Sequence, residues 1–465
     1  MALENKREIY RSYLKEYLFF WTGQLVSILG SNVVQFGIIY WLTIESSKQY
    51  PELATIILGL SAFLGFGSFI LMTPIAGVFV DRWSRKKIIV ISDSLQAGVT
   101  FILIYLFAIG LTNIWLILGV LTLRGFIGAF QGPATQAIIP LMVPEKHLTR
   151  MNSVSYLANS MILIVGPAIG AVLYFVFAGN LATILWIDVV TFLVAIVPAI
   201  LVYIPPVKTK KELKKASFRE EFTEGIVFIR QKKGLLTLLS MFTIANFLLT
   251  PLNVLLPLFT LQTVALGNEE TAIAFLAVLT GLQNLSMLLG SSLMSVWGGF
   301  KRNVIGVAFG LFFGGMGAII IAFTPPGVFW IPAIGLLLNG LTIPIANIHS
   351  QTIWQKVVPP EKLGRVFSVR VTIAQFTAPA AMLLGGIVAA VVGIPVLFFI
   401  CGITQILAII IAWFMTTLPH VEDMLLKTEP DSEISEEVIA ETKEITPNII
   451  PIDKIPHSDV GGAED

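Results

Sequence analysis

Long apolar runs, separated by short polar turns, repeat along the whole chain. A membrane-crossing helix needs about 20 apolar residues. Runs of that length or more fall at residues 17–43, 54–80, 88–109, 114–140, 156–178 and 182–204. After a polar stretch they resume at 235–261, 272–297, 304–324, 328–354, 366–391 and 394–418. The pattern predicts an all-α integral membrane protein of twelve transmembrane helices. The first apolar run is too long for the core of a signal peptide and is followed by no cleavage site, so it reads as the first span.

The cations sharpen this reading. Of the 30 lysines and arginines, 28 fall in the N-terminal segment, the connections after the even-numbered spans, or the tail. The other two are Lys48, in an outer connection, and Arg124, inside the fourth run. Positive charge collects in cytoplasmic loops. The alternation therefore predicts twelve spans in the cell (inner or plasma) membrane, with both termini cytoplasmic. A wrong helix count would scramble it.

Composition agrees. Hydrophobic residues make up 55% of the 465, charged residues only 13%, and the mean hydropathy is +0.84. A soluble domain carries roughly 25% charge. The net charge of +1 gives no field for nucleic acid. Cys401 is the one cysteine, so an intramolecular disulfide is excluded, and His147, His349, His420 and His457 lack metal-ligand spacing. No metal, cofactor or hydrolytic motif is visible, and no Gly-rich phosphate loop, so neither an enzyme nor an ATP-driven pump is expected.

The chain repeats itself at an offset of 215 residues. Leu123-Arg124-Gly125 matches Leu338-Asn339-Gly340, Gln136 matches Gln351, and Val143-Pro144 matches Val358-Pro359. Leu148, Arg150 and Ser153-Val154 match Leu363, Arg365 and Ser368-Val369, and Gly170 matches Gly385. This predicts two pseudo-symmetric six-helix bundles, residues 1–204 and 235–418. Parallel repeats of this kind hold their substrate near the midplane between the halves. Residues 205–234 are a cytoplasmic linker, Lys-rich and then amphipathic, with Phe218, Phe222 and Ile229 on one face. Both a helix on the membrane surface and a solvated linker fit that pattern. Residues 419–465 are acidic and proline-containing, a composition that predicts disorder.

The connection after the second span reads Gly77-Val-Phe-Val-Asp81-Arg82-Trp-Ser-Arg85-Lys86. It resembles the signature of the major facilitator superfamily, with Ser84 where the family has glycine. Arg124-Gly125 with Gly128, Gln131 and Gly132 resembles the second family signature, and Gly166-Pro167-Ala-Ile-Gly170-Ala171 its antiporter motif. Gly23-Gln24 through Gly30-Ser31, and Ile187-Asp188, look like the drug–proton antiporter branch that includes macrolide efflux proteins and siderophore exporters.

The resemblance implies a monomeric secondary transporter that exports small amphipathic, drug-like or macrolide-like compounds in exchange for protons, by alternating access. A siderophore exporter, or an importer of a neutral or lipid-like solute, remains open. The partners are a small-molecule substrate, protons and membrane lipid. The connection after the second span would form a cytoplasmic gate, with Asp81 facing the start of the eleventh span near Arg365 to Arg370, and Arg85 pairing with Glu145. Arg124 would take part in proton coupling.

A mid-membrane arginine costs roughly 2.5–3.5 kcal/mol even on the lenient insertion scale. A proton carrier needs a buried carboxylate. The proton-coupling candidates are Asp188, the first choice, with Arg124 and Asp93. Asp93, near the cytoplasmic end of the third span, is expected to brace the gate with Arg82 or Arg85. The family's cavity draws on spans 1, 4, 7 and 10. These offer Gln24, Asn32, Gln35, Gln131, Asn246, Asn253, Asn339 and Asn347, with Phe36, Tyr40, Phe130 and Phe247, a neutral lining suited to a bulky amphipathic substrate.

Overall fold

A computed structural model describes residues 2–143, 145–204 and 218–422. Thirteen α-helices follow in order: α1 (Ala2–Gln49), α2 (Ala54–Arg82), α3 (Arg85–Ala108), α4 (Ile114–Met142), α5 (Glu145–Val176), α6 (Leu181–Leu201) and α7 (Phe218–Gln231), then α8 (Lys233–Phe259), α9 (Glu269–Trp297), α10 (Asn303–Ala322), α11 (Trp330–Val357), α12 (Pro360–Val392) and α13 (Ile394–Met415). All but α7 are long and apolar enough to cross a membrane, twelve in total. The acidic tail and the Lys-rich start of the linker lie outside the described residues.

The helices start earlier than hydropathy alone indicates. The apolar run of α1 begins near residue 17, yet its span starts at Leu14 and the helix itself at Ala2. In α5 and α12 the polar turns before the apolar run are also helical. Hydropathy locates the lipid-embedded part of a helix, whereas backbone hydrogen bonding continues into the polar turns until a residue breaks it. At several starts the break is visible: Asn113 accepts from the backbone N–H groups of Trp115 and Leu116, and Asn180 and Asn268 cap α6 and α9 in the same way.

The two halves have the same internal packing. In the first half α1 packs on α5 and α6, α3 on α4 and α6, and α2 on α4. In the second, α8 packs on α12 and α13, α10 on α11 and α13, and α9 on α11. Each contact in one half has its counterpart seven helices later. Between the halves the main contacts are α2 with α12 and α5 with α9, a pair related by the same correspondence.

Backbone closeness makes the first of these joints. A Cβ on Gly59 would lie 2.5 Å from the Met382 carbonyl oxygen, and one on Gly386 would lie 2.5 Å from the Thr55 oxygen. Glycine at both positions lets the helices touch where any side chain would hold them apart.

The joint lies at the end of the bundle away from the cation-rich turns. There one apolar cluster runs through both halves, from Ile38, Leu42 and Leu58 to Leu255, Phe259 and Phe398. Tyr40 of α1 donates to the Glu269 carbonyl at the start of α9, and Lys48 pairs with the Glu269 carboxylate at 2.6 Å. At the cation-rich end the corresponding cluster, around Tyr17, Phe20, Ile89 and Ile138, belongs to the first half alone. The halves are thus sealed to each other at the end opposite the termini.

The linker helix α7 docks on the start of α12. Gly225 lies against the Arg365 backbone, Glu224 binds Arg365, and Lys362 sits 5.6 Å from the centroid of the Phe228 ring. Ile229, one of the three apolar residues expected on its face, is buried.

If the seal is a close backbone contact, Gly59→Val should pry it open. Overpacking costs roughly 1–3 kcal/mol, about five-fold or more in the population of the sealed state. A cysteine at Gln35 in a Cys401→Ser background should then react at least several-fold faster with an impermeant thiol reagent applied from the side opposite the termini. An unchanged rate would refute the seal.

Candidate functional site

A cavity of about 560 Å³ lies between the halves. The first half contributes Gln35, Phe36 and Ile39 from α1, Ser61, Gly65 and Phe69 from α2, and Arg124 with Gly125 and Gly128 from α4. The second contributes Asn253, Leu256 and Pro257 from α8, Leu276 and Thr280 from α9 and Met382 from α12. The wall is mainly aliphatic and aromatic with a few polar groups, and Arg124 is its only charge among the described residues.

Arg124 is held by a buried network. Its Nη1 donates to Asp188 Oδ2 at 2.7 Å and to the Thr100 hydroxyl at 3.1 Å. Thr100 passes a hydrogen bond on to the same Asp188 oxygen at 3.0 Å, and Ser31 donates to Asp188 Oδ1 at 2.8 Å. Both carboxylate oxygens are therefore engaged, from α1, α3 and α4. The Asp188 side chain is 0% exposed and that of Arg124 is 11% exposed. The guanidinium reaches the cavity wall with the carboxylate behind it. Gly30 allows the approach of α6: a Cβ there would lie 2.1 Å from Thr191 Oγ1.

Asp93 has a different environment. It is 0% exposed, and its partners are Gln24 of α1, donating at 3.1 Å, and Gln131 of α4, donating at 2.8 Å. Gln131 also donates to the Gln24 side-chain oxygen, Oε1, at 3.2 Å. The expected brace to Arg85 is not formed, and the Arg82 side chain lies outside the described residues. Asp93 points into the bundle toward two amides, whereas Arg85 stands at the first turn of α3.

The remaining expected sites are distributed as follows. Asn253 and Gln35 line the cavity with Phe36. Gln24 and Gln131 belong to the Asp93 cluster. Asn32 donates to its own helix at the Ile28 carbonyl, 2.8 Å away. Asn339, the counterpart of Arg124, is buried; it donates to the Gly314 carbonyl at 3.3 Å and accepts from Gln283 at 3.4 Å. Asn246 and Asn347 line a smaller recess within the second half. Of the aromatics, Tyr40 belongs to the seal, and Phe130 lines a separate apolar groove with Phe79 and Trp83.

In the antiporter-like motif, Gly166 faces the Asn32 Cβ, and a Cβ on Gly170 would lie 2.9 Å from the Val33 oxygen. These glycines, with Pro167 between them in α5, set how closely α5 lies on α1.

The proposed gate is only partly described. Lys86 donates to the Ile200 and Val202 carbonyls at 2.5 and 2.8 Å, closing the end of α6 within its own half. Among the described residues, nothing beyond its chain neighbours and its own helix backbone lies within 4 Å of a Cβ built on Gly77. Among the described residues Arg85 forms no ion pair. The side chains of Asp81, Arg82 and Glu145 lie outside them. Arg365 is engaged by Glu224, and Arg370 stacks over Trp354 and Phe367.

Sequence reasoning placed Ser31 only in a family motif and missed Thr100, Gln283 and Gln96, whose side chain donates to the Arg124 carbonyl at 3.3 Å. For α3 a signal was present. Asp93, Gln96 and Thr100 recur at three- and four-residue spacing on one face of an otherwise apolar helix, which places them toward the bundle interior.

The Major Facilitator Superfamily model matches residues 20–381. The chain belongs to this superfamily. It is 30% identical over 395 residues to macrolide efflux protein A of Streptococcus pyogenes, covering 85% of this chain and 94% of that protein. To the multidrug efflux pump Tap of Mycolicibacterium fortuitum it is 25% identical over 415 residues, 86% of this chain and 94% of the pump. The solved structure of the nucleoside transporter NupG superposes with a TM-score of 0.64 at 14% identity, covering 84% of this chain and 99% of that one. The protein is a multi-pass membrane transporter and not an enzyme.

A buried ion pair is more sensitive to losing one partner than to losing both. Arg124→Leu or Asp188→Leu alone should each destabilise by about 3–5 kcal/mol, whereas the double variant should recover most of the loss. Ser31→Ala, which removes one donor, should cost about 1 kcal/mol. Thermal unfolding in detergent ranks the four. A double variant no more stable than either single one would show that the pair is not the coupled unit described.

Proposed function

We propose that this transporter exports bulky amphipathic compounds, of the class its macrolide and multidrug efflux relatives are named for, in exchange for protons. The observation that carries the reading is the cavity between the halves. Its volume lies within the roughly 300–1,000 Å³ range of drug-sized sites, and its wall is apolar with sparse neutral amides. Such a wall can hold a large hydrophobic body by area while a few hydrogen bonds orient it. A phosphate or a sugar acid would need more than the one cation that the described residues bring to the wall. Lys and Arg placement supports cytoplasmic termini. The seal then lies on the outer face, and the cavity belongs to the state that loads from the cytoplasm.

The neighbours of the two buried carboxylates assign them different roles. A proton on Asp188 would strand the Arg124 guanidinium inside the membrane. Among the described residues Asp93 has no cation beside it, only the Gln24 and Gln131 amides, so a proton there removes a buried charge that no described ion pair compensates. The reading therefore gives the proton to Asp93 and leaves Asp188 to hold Arg124 at the cavity wall, although Asp188 is the first candidate from the sequence. At about 2.3 kcal/mol per charge per 100 mV, one inward proton suffices for a substantial export gradient.

Inverted membrane vesicles with an acidified lumen test both parts. The wild type should accumulate a fluorescent amphipathic drug in the lumen. Asp93→Asn should lose this proton-driven accumulation by about ten-fold or more while still exchanging labelled for unlabelled drug without a gradient. Undiminished accumulation by Asp93→Asn would remove Asp93 from the coupling. Accumulation only in right-side-out vesicles would make the protein an importer.

A further inference from the structure

The linker helix and the second half enclose a slot of about 500 Å³, apart from the central cavity. Ile226, Ile229 and Arg230 of α7 line it, with α8 from Leu236 to Ile244, and Val369 and Ile373 of α12. Its two ends differ. Arg230, in the last turn of α7, is exposed and makes no hydrogen bond or ion pair among the described residues. Lys232 and Lys233 follow it in the turn into α8. The acid of α7 whose side chain is described, Glu224, is already bound by Arg365 and lies 3.8 Å from Lys362. Beyond this cationic mouth the lining is aliphatic. Ser240 and Thr243 each donate back at 2.9 Å to a carbonyl of their own helix, Leu236 and Leu239, so neither hydroxyl hydrogen is left for a ligand. Leu236 and Ile244 are 40% and 41% exposed, so the slot can be reached at both levels. They stand eight residues apart, about 12 Å of helix, which is most of the roughly 15 Å depth of one hydrocarbon leaflet.

We propose that this slot holds an anionic phospholipid, with its phosphate on Arg230 and one acyl chain along α8 and α12. A guanidinium presents a planar fork of donors that matches phosphate oxygens. Basic residues at a membrane surface also draw anionic lipid, and Arg230 has two lysines beside it. The two ends of the slot together select the ligand. A soluble anion would satisfy Arg230 and leave the aliphatic length empty. A zwitterionic lipid would fill that length but bring its own cation to the basic cluster. An anionic lipid uses the whole lining, and the depth of the slot suits a chain anchored at the surface of one leaflet. Because α7, α8 and α12 all border the site, a lipid there fastens the linker to the second half.

The test is native mass spectrometry of the purified full-length protein in detergent, titrated with dioleoyl phosphatidylglycerol or dioleoyl phosphatidylcholine. The wild type should bind its first phosphatidylglycerol about five-fold or more tighter than phosphatidylcholine. Arg230→Gln should abolish that preference by weakening phosphatidylglycerol alone. Ser240→Phe, which fills the slot, should weaken both lipids. Lys87→Gln removes an exposed cation of the first half and should change neither. All three side chains are exposed, so the variants should fold. Equal affinity of the wild type for the two lipids, a preference that survives Arg230→Gln, or an equal loss from Lys87→Gln would overturn the site. Displacement of the lipid by an equal concentration of soluble glycerophosphoglycerol would reduce it to a plain anion contact. A dimer that Ser240→Phe dissociates would give the slot to a second copy of the chain.

Discussion

A guanidinium inside a lipid-embedded bundle must be matched, and the first half of this protein is arranged around that requirement. Arg124 meets one carboxylate, Asp188, at 2.7 Å. Thr100 and Ser31 complete that carboxylate's hydrogen bonds. A buried pair supports a fold only when its remaining lone pairs and protons are also satisfied. Meeting that condition draws α1, α3, α4 and α6 together at one level. The same network brings the guanidinium edge to the wall of the central cavity. Packing and site are therefore one arrangement, and a change in either partner acts on both.

The second half answers the same packing problem without charge. Asn339 replaces Arg124, and α10, the counterpart of α3, carries Gly306, Gly310, Gly314 and Gly317 where α3 carries its polar face. A Cβ on Gly310 would lie 2.7 Å from Ala346 and Thr342 atoms, and one on Gly317 would lie 2.6 Å from the Gly335 oxygen. Backbone contact takes the place of the ion pair. Two bundles with one neighbour pattern thus divide the chemistry. One carries the buried acids and the arginine; the other presents neutral amides to the space between them.

Much of this was legible in the sequence, for identifiable reasons. The twelve spans follow from lipid as solvent, and the placement of 28 cations fixed their count. Arg124 and Asp188 could be picked out because an ionised group in an apolar run is expensive enough to need a purpose. The amides were harder to place. An asparagine or glutamine in a span is tolerated wherever it finds a partner, and the partner is chosen by helix rotation and register, which one sequence does not show. Gln24 and Gln131 were assigned to the cavity and instead meet Asp93. Asp93, expected to brace Arg82 or Arg85, is held among the described residues by Gln24 and Gln131 across the bundle and not by Arg85. The glycine motif of α5 was legible as a close contact, but its partner, α1 at Asn32 and Val33, was not.

The proposed coupling has a mechanical consequence in hydrogen-bond polarity. An ionised carboxylate only accepts, and Asp93 accepts from two amides, Gln24 and Gln131. A proton turns one of its oxygens into a donor. That hydrogen needs an acceptor, and the amide oxygen in the cluster, Gln24 Oε1, is the one Gln131 now occupies, so the bond between Gln131 and Gln24 changes with it. These amides stand on α1 and α4, the helices that also carry Gln35 and Arg124 to the cavity wall. Gln131 and Arg124 are seven residues apart, about 10 Å along the same helix. Protonation at Asp93 and occupancy of the cavity thus act on the same two rigid elements. A neutral Asp93 and a charged one favour different fits of α1 against α4, and a substrate that contacts both helices need prefer only one of them for the two events to be linked.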